Sequence, residues 1–317
     1  MLGKKIIIRV GIIGAGNIAR EHLKAFSSIP NVKIVGIFSR TNSKAEILSN
    51  DFNIQYVVKS VNDLFSLKID LVIIAVSAVS IFKVCLQVFK YKWTVLVEKP
   101  LGINFRESNY LFNVALKNKI NVYLALNRRY FKSTKDAIGI LSKAKEKRVI
   151  IINGQEDPRL QLKDGVDPKI VKNLFFANSI HIIDYFLIFG RGEINRVEPI
   201  IKYKKTTNFF SYKISFTSGD IGIYNCFIDV PGLWSVNITT NKIRLVMQPL
   251  ETLQIQKYGS RKLVLLSKNC SNDIDFKPGF YKQAEEIIRA LNGKTNNALS
   301  INEAMKTIVL IKKFYEK

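Results

Sequence analysis

Ile6-Ile7-Ile8-Arg9-Val10-Gly11-Ile12-Ile13-Gly14-Ala15-Gly16-Asn17-Ile18-Ala19 is the stretch that decides the fold. The β-branched run from Ile6 to Ile13 reads as a buried strand. It passes straight into Gly14-Ala15-Gly16-Asn17-Ile18-Ala19, and a helical pattern follows. A strand, a glycine turn and a helix start together build an anion-binding helix N-terminus. Gly14 permits a turn that a Cβ would block, Gly16 lets backbone N–H groups approach a pyrophosphate, and Ala19 keeps the helix close to the strand. Gly14, Gly16, Asn17 and Ile18 are therefore expected at a dinucleotide. An ordinary βα turn is the plainer alternative.

Outward from this turn, residues 17–27 form a helical stripe of Ile18, His22 and Phe26. His22 lies on it with no acid or second ligand beside it and reads as structural. Val32–Ser39 is a second strand ending in Ser39-Arg40-Thr41. An acid at that tip would hold a ribose 2′-hydroxyl, whereas two hydroxyls and a guanidinium suit a 2′-phosphate. The tip therefore favours NADP(H) over NAD(H), the competing reading being an exposed arginine after a strand. Asp70–Ser77 is continuous and β-branched, as in a buried parallel strand, and its tip Ala75-Val76-Ser77 is expected to border the cofactor. Thr94–Val97 and Asn121–Leu126 are further strands. The alternation with helices at 43–50, 79–91 and 104–119 predicts a doubly wound parallel sheet.

Two strand tips carry chemistry. Thr94–Val97 runs into Glu98-Lys99-Pro100. A lysine at the carboxyl edge of a parallel sheet can donate a proton to a carbonyl oxygen, or take one from a hydroxyl if its pKa is lowered. Pro100 can hold a cis peptide that fixes the lysine's direction. Asn121–Leu126 ends in Asn127-Arg128-Arg129-Tyr130-Phe131, whose arginines suit a phosphate or sugar acid and equally suit solvent. Asn127 and Arg128 are taken as pocket residues, with the domain boundary here: residues 1–127 a dinucleotide-binding domain, 128–317 a substrate and oligomerisation domain.

In the second half, Phe175–Phe189 is apolar on nearly all sides, so its helix from about Asn178 is expected to be buried. His181, Asp184 and Tyr185 share one face. Arg159–Lys172 reads as a polar loop able to cover a substrate. Strand periodicity at Lys213–Thr217, Ile221–Asp229, Ser235–Thr239, Arg244–Met247 and Leu253–Tyr258, with Val149–Asn153 before them, predicts a meandering antiparallel sheet. One face would pack on helices and the other on a partner subunit, as a homodimer or homotetramer. Helices near 281–292 and 303–316 close the chain, the last expected to return to the first domain.

Composition bounds the partners. The net charge of +24 admits two readings: a polyanionic partner, or a compositional bias toward Lys. The basic residues are dispersed and no aromatic-basic motif accompanies them, so no nucleic-acid partner is expected. No apolar run is long enough to span a bilayer. Lys4 and Lys5 before an apolar stretch resemble a signal, but Arg9 and the glycine turn interrupt it. Cys85, Cys226 and Cys270 form no metal spacing and suggest free thiols in the cytoplasm, with Cys85 in the core. No metal is expected.

Taken in order, Gly14-Ala15-Gly16-Asn17-Ile18-Ala19, Glu98-Lys99-Pro100-Leu101, Asn127-Arg128-Arg129-Tyr130, His181-Ile182-Ile183-Asp184 and Phe276-Lys277-Pro278-Gly279-Phe280-Tyr281 resemble the glucose–fructose oxidoreductase / inositol dehydrogenase (Gfo/Idh/MocA) family over essentially the whole chain. The resemblance implies a Rossmann domain followed by an α+β domain with an open, mostly antiparallel sheet. It implies hydride transfer between NAD(P) and a sugar carbon, with Lys99 assisting proton transfer and His181 at the reacting hydroxyl. Glu98 and Asn127 join the cofactor set, and Arg128, Asn178 and Asp184 the substrate set. The finer likeness is to members acting on nucleotide sugars in polysaccharide biosynthesis. One departure matters: many members carry Asp four residues and Gly two residues before the histidine, where this chain has Ala177 and Ser179. Asn178 can take over a substrate hydrogen bond but cannot act as a base. That gap leaves a second expectation, a non-catalytic NAD(P)- and sugar-binding sensor.

Overall fold

The computed structural model describes residues 7–204, 206–267 and 271–315. Lys4, Lys5, Ile6 and Cys270 lie outside them. The chain forms two compact units, one running to Asn127 and joined by Asn272–Met305, the other comprising Arg128–Ser271 and the chain from Lys306.

The first unit is a six-stranded parallel sheet of β1 (Ile8–Ile13), β2 (Val32–Phe38), β3 (Tyr56–Val58), β4 (Leu71–Ile74), β5 (Thr94–Glu98) and β6 (Val122–Ala125), in the order β3-β2-β1-β4-β5-β6. Helices α1 (Asn17–Ser27), α2 (Asn42–Asp51), α3 (Val61–Phe65), α4 (Ala78–Val88) and α5 (Phe105–Lys117) connect them. β1 and β4 are the central strands, and their apolar residues are buried on both faces, which is why they read as unbroken apolar runs. The order reverses beside β1, and such a switch point opens a crevice at the strands' carboxyl ends.

The sequence-based division needs correcting here. Residues 272–305 belong with the first unit rather than with the second. The helix Phe280–Leu291 packs on α1, and Phe280, Ala284 and Ile287 share a core with Leu23 and Phe26. Leu299 O then accepts the Leu124 N–H at 3.0 Å along β6. It is thus the penultimate helix that returns, whereas the final helix, Ile301–Tyr315, gives its later turns to the second unit.

The second unit is an eight-stranded sheet of β7 (Val149–Glu156), β8 (Ile194–Ile201), β9 (Phe209–Phe216), β10 (Ile221–Ile228), β11 (Ser235–Thr239), β12 (Ile243–Met247), β13 (Leu253–Lys257) and β14 (Val264–Ser267). Its order is β14-β13-β12-β11-β7-β10-β9-β8, antiparallel throughout except at the β7–β10 pair. β7 alternates strictly, with Ile150, Ile152 and Glu156 on the buried face. On the opposite face, Ser211, Asn225, Asn153 and Ser235 hydrogen-bond in a ladder across four strands at 2.8–3.0 Å. The stretch expected as a polar loop at 159–172 instead holds two short helices, Pro158–Lys163 and Pro168–Val171, each with proline in its first turn where no N–H is needed.

Candidate functional site

In the first unit, a cleft of about 280 Å³ lies at the carboxyl ends of β1, β2 and β4. Gly14, Gly16, Ser39, Arg40, Thr41, Ala75, Val76 and Ser77 all line it, together with Ala15. Gly14 takes φ +117, and a Cβ there would lie 2.1 Å from the Ala75 carbonyl oxygen, so the turn requires glycine. Gly16 is different. Its φ of −94 suits any residue, and a Cβ would meet nothing within 4 Å. The protein gives Gly16 no steric reason to be glycine; the space in front of it is what the residue keeps open. Behind it α1 begins with no side-chain cap and no acid in its first turn, which leaves the first N–H groups and the positive end of the helix to an anion. Asn17 is exposed at that end and Ile18 half-buried.

At the tip of β2, the Arg40 guanidinium has one long contact, 3.5 Å to Ser80 Oγ, and no ion pair with a described acid. Lys44, on the first turn of α2, lines the same cleft. Sequence reasoning missed Lys44 and Ser80. Both sit one helical step beyond the strand tips, where spacing from a strand end gives no signal.

Glu98 and His22 depart from expectation. His22 Nε2 lies 2.7 Å from Glu98 Oε1, both groups buried, so the histidine does have an acid beside it, supplied by a strand 76 residues away. The other carboxylate oxygen of Glu98 accepts the Lys99 N–H at 3.1 Å. The carboxylate is therefore spent inside the sheet edge rather than presented to the crevice. It fixes the start of the cis Lys99–Pro100 segment, on which the half-buried Lys99 is carried. Asn127 donates its amide N–H to Pro278 O at 2.9 Å, tying the end of β6 to the returning segment.

In the second unit, Phe175–Ser179 forms a π-helical turn that leads into Ile180–Ile183 and Tyr185–Phe189. His181 is buried on this helix. Asp184, expected at the substrate, is instead 1% exposed and accepts from Arg129 Nε and Nη2 at 2.5 and 2.7 Å, and from Thr307 Oγ1 at 2.6 Å. It is a structural anchor, and Arg129 is its partner rather than a phosphate ligand.

Arg128 stands apart. Its guanidinium lies over the Trp234 ring at 4.3 Å, and its Nη1 is buried with no hydrogen-bond partner among the described residues. Burial pulls its pKa down, opposed by the charges of Tyr185, Glu251 and Glu156. Glu156 is the residue that sequence reasoning missed altogether. Buried at the end of β7, its carboxylate accepts from Asn178 Nδ2 at 3.2 and 3.0 Å and from Ser179 Oγ. Its position on the buried face of an alternating strand was the available signal, because a charged residue at such a place is rare unless paired or functional. Burial raises the thiol pKa of Cys85 and of Cys226 and makes them inert core residues.

Among the described residues no helix is long and apolar enough to cross a membrane, and no three His, Cys, Asp or Glu side chains gather as metal ligands.

Residues 8–125 match the family model GFO_IDH_MocA, the NAD-binding Rossmann fold of an oxidoreductase family. Glucose-6-phosphate 3-dehydrogenase of Bacillus subtilis is 29% identical over 122 residues, 38% of this chain and 34% of that protein. The curated relatives are matched over 34–57% of their own length. Among solved structures, UDP-N-acetylglucosamine 3-dehydrogenase GnnA from Acidithiobacillus ferrooxidans superposes with a TM-score of 0.76 at 15% identity, covering 96% of each chain. A dehydrogenase from Chromobacterium violaceum gives 0.81 at 15% identity, covering 98% of this chain and 94% of that one. At such identities these likenesses speak for the fold of both units.

Proposed function

We propose that the chain is an oxidoreductase of the Gfo/Idh/MocA family, whose NAD-binding Rossmann model its residues 8–125 match, and that it transfers hydride between a nicotinamide dinucleotide and a carbinol carbon of a sugar. The observation that carries this reading is Gly16: an exposed glycine at an uncapped helix N-terminus, with open space where a side chain would stand. That is the surface a pyrophosphate needs.

NADP(H) is the proposed cofactor, because Arg40 and Lys44 bring two cations and no carboxylate to the tip of β2, where a 2′-phosphate would sit. When bound, the cofactor supplies hydride acceptance and donation at the nicotinamide. Lys99 is proposed to move the hydroxyl proton, being the half-buried ammonium at the carboxyl edge of β5. In the second unit Arg128, Asn178 and His181 are proposed to hold the sugar. The name of the GnnA neighbour and an excess of positive charge favour a nucleotide sugar or sugar phosphate. A homodimer or homotetramer through the second unit's sheet fits its exposed apolar edges, Ile200 and Ile201 on β8 and Val264, Leu265 and Leu266 on β14. A reducing cytoplasm suits two buried free thiols.

The test is absorbance of the reduced cofactor with NADP⁺ or NAD⁺ and a panel of hexoses, hexose phosphates and UDP-hexoses. Turnover with at least one sugar is expected. Cofactor binding with no redox change across the panel would overturn the enzymatic reading in favour of a sensor.

A further inference from the structure

From Leu174 to Phe186 every side chain is buried except one, and that one is Asn178. It sits in the π-helical turn Phe175–Ser179, a rare local widening found frequently at functional sites. Its amide nitrogen donates to both oxygens of the buried Glu156 carboxylate, and the neighbouring Ser179 hydroxyl donates to Oε1. With both Glu156 oxygens accepting from Nδ2, the Asn178 amide is held one way round, Nδ2 toward Glu156 and the carbonyl Oδ1 away from it. The charge of Glu156 is also felt at Arg128, whose buried Nη1 is a donor with no acceptor among the described residues.

We propose that Glu156 is the positioning residue of the sugar site. By locking the Asn178 amide it sets Oδ1 as a fixed acceptor for a substrate hydroxyl, while the buried Nη1 of Arg128, which has no partner among the described residues, supplies a donor. The pair reads a polyol as one group that donates and one that accepts. No proton is transferred to or from Glu156 in this role. The proposal rests on the sugar-oxidoreductase reading.

Glu156→Gln is nearly isosteric but carries an N–H₂ of its own. That group can donate to Asn178 Oδ1, which lets the amide flip and present a donor where an acceptor was. A mismatched polar group in a recognition site costs about 10–100-fold in affinity. On the sugar that wild type turns over best, Glu156→Gln is expected to raise the sugar KM about 10-fold or more, with cofactor KM unchanged. Asn178→Ala should raise the sugar KM by a similar factor, and adding Glu156→Gln to it should do little more, because both act through one amide.

An unchanged sugar KM in Glu156→Gln would overturn the proposal, as would an equal rise in sugar and cofactor KM, or full additivity with Asn178→Ala. If Glu156→Gln fails to fold, Asn178→Ala decides alone, and a wild-type sugar KM there overturns the proposal. Absence of wild-type turnover on the whole panel removes the enzymatic reading itself. A wild type that turns over sugar while its variants behave normally removes only this proposal.

Discussion

Asp184→Ala separates a structural carboxylate from a substrate ligand. The side chain accepts two bonds from Arg129 and one from Thr307, and it is 1% exposed. Its loss strips a carboxylate from the guanidinium and an acceptor from the Thr307 hydroxyl. Breaking one side of a buried ion pair costs about 3–5 kcal/mol. The Arg129 side chain keeps 19% exposure, so water recovers part of its charge and the expected loss falls near the lower end, about 3 kcal/mol. Against a usual stability of about 5–15 kcal/mol that is a large fraction. The assay is urea unfolding followed by fluorescence of Trp234 in a Trp93→Phe background, which reports on the second unit separately from the first. The urea midpoint should fall clearly, while the sugar KM of the folded enzyme moves less than about twofold. A stability loss under about 0.5 kcal/mol together with a sugar KM raised tenfold or more would refute this reasoning and return Asp184 to the substrate.

Other perturbations follow from the same geometry. Lys99→Met should collapse turnover while the dissociation constant for NADPH, measured by fluorescence titration, is little changed. Arg40→Ser should lower the NADPH-over-NADH preference by about 10–100-fold, the value of a charge-assisted contact, with NADH binding nearly unaltered in the same titration. Asp220, fully buried, is pushed up by burial, but bonds from Arg191 at 2.7 and 2.9 Å and from the Arg148 and Arg191 N–H groups outweigh this and hold its pKa below the usual value. A depressed folded-state pKa gives stability that is present above the unfolded carboxylate's pKa and is lost as pH falls through the folded one. Urea midpoints of the wild type should therefore drop below about pH 4, and Asp220→Asn should flatten that acid limb at the expense of lower stability near neutrality.

The first unit was legible because its strands are buried on both faces. Continuous apolar runs such as Leu71–Ile74 announce themselves, and the glycine turn fixes where the first one stops. The edge strands of the second sheet were not. Residues of β8 are mostly exposed on both sides and include Pro199, so no alternation marks them, and the apolar Val264–Leu266 of β14 is exposed where a pattern reader expects burial. The lining of the cleft proposed for the cofactor was readable for a similar reason: most of its residues fall at strand tips. The partners of the buried charges were not, since His22 meets Glu98, Arg129 meets Asp184 and Asn178 meets Glu156 across 76, 55 and 22 residues of chain. Long-range pairings leave no local periodicity.

The most direct measurement is an NADPH fluorescence titration of Gly16→Val beside the wild type, with thermal unfolding of both. A Cβ at position 16 meets no atom within 4 Å apart from its chain neighbours, so the variant should fold, with a melting temperature lowered by only a few degrees by the poorer N-cap. If that space belongs to the pyrophosphate, wild type binds NADPH saturably and Gly16→Val binds it at least about 100-fold more weakly, having lost both space and helix N-terminal contacts. Equal binding by a folded Gly16→Val, or no binding of NADPH or NADH by wild type, would contradict the assignment of this turn to a dinucleotide.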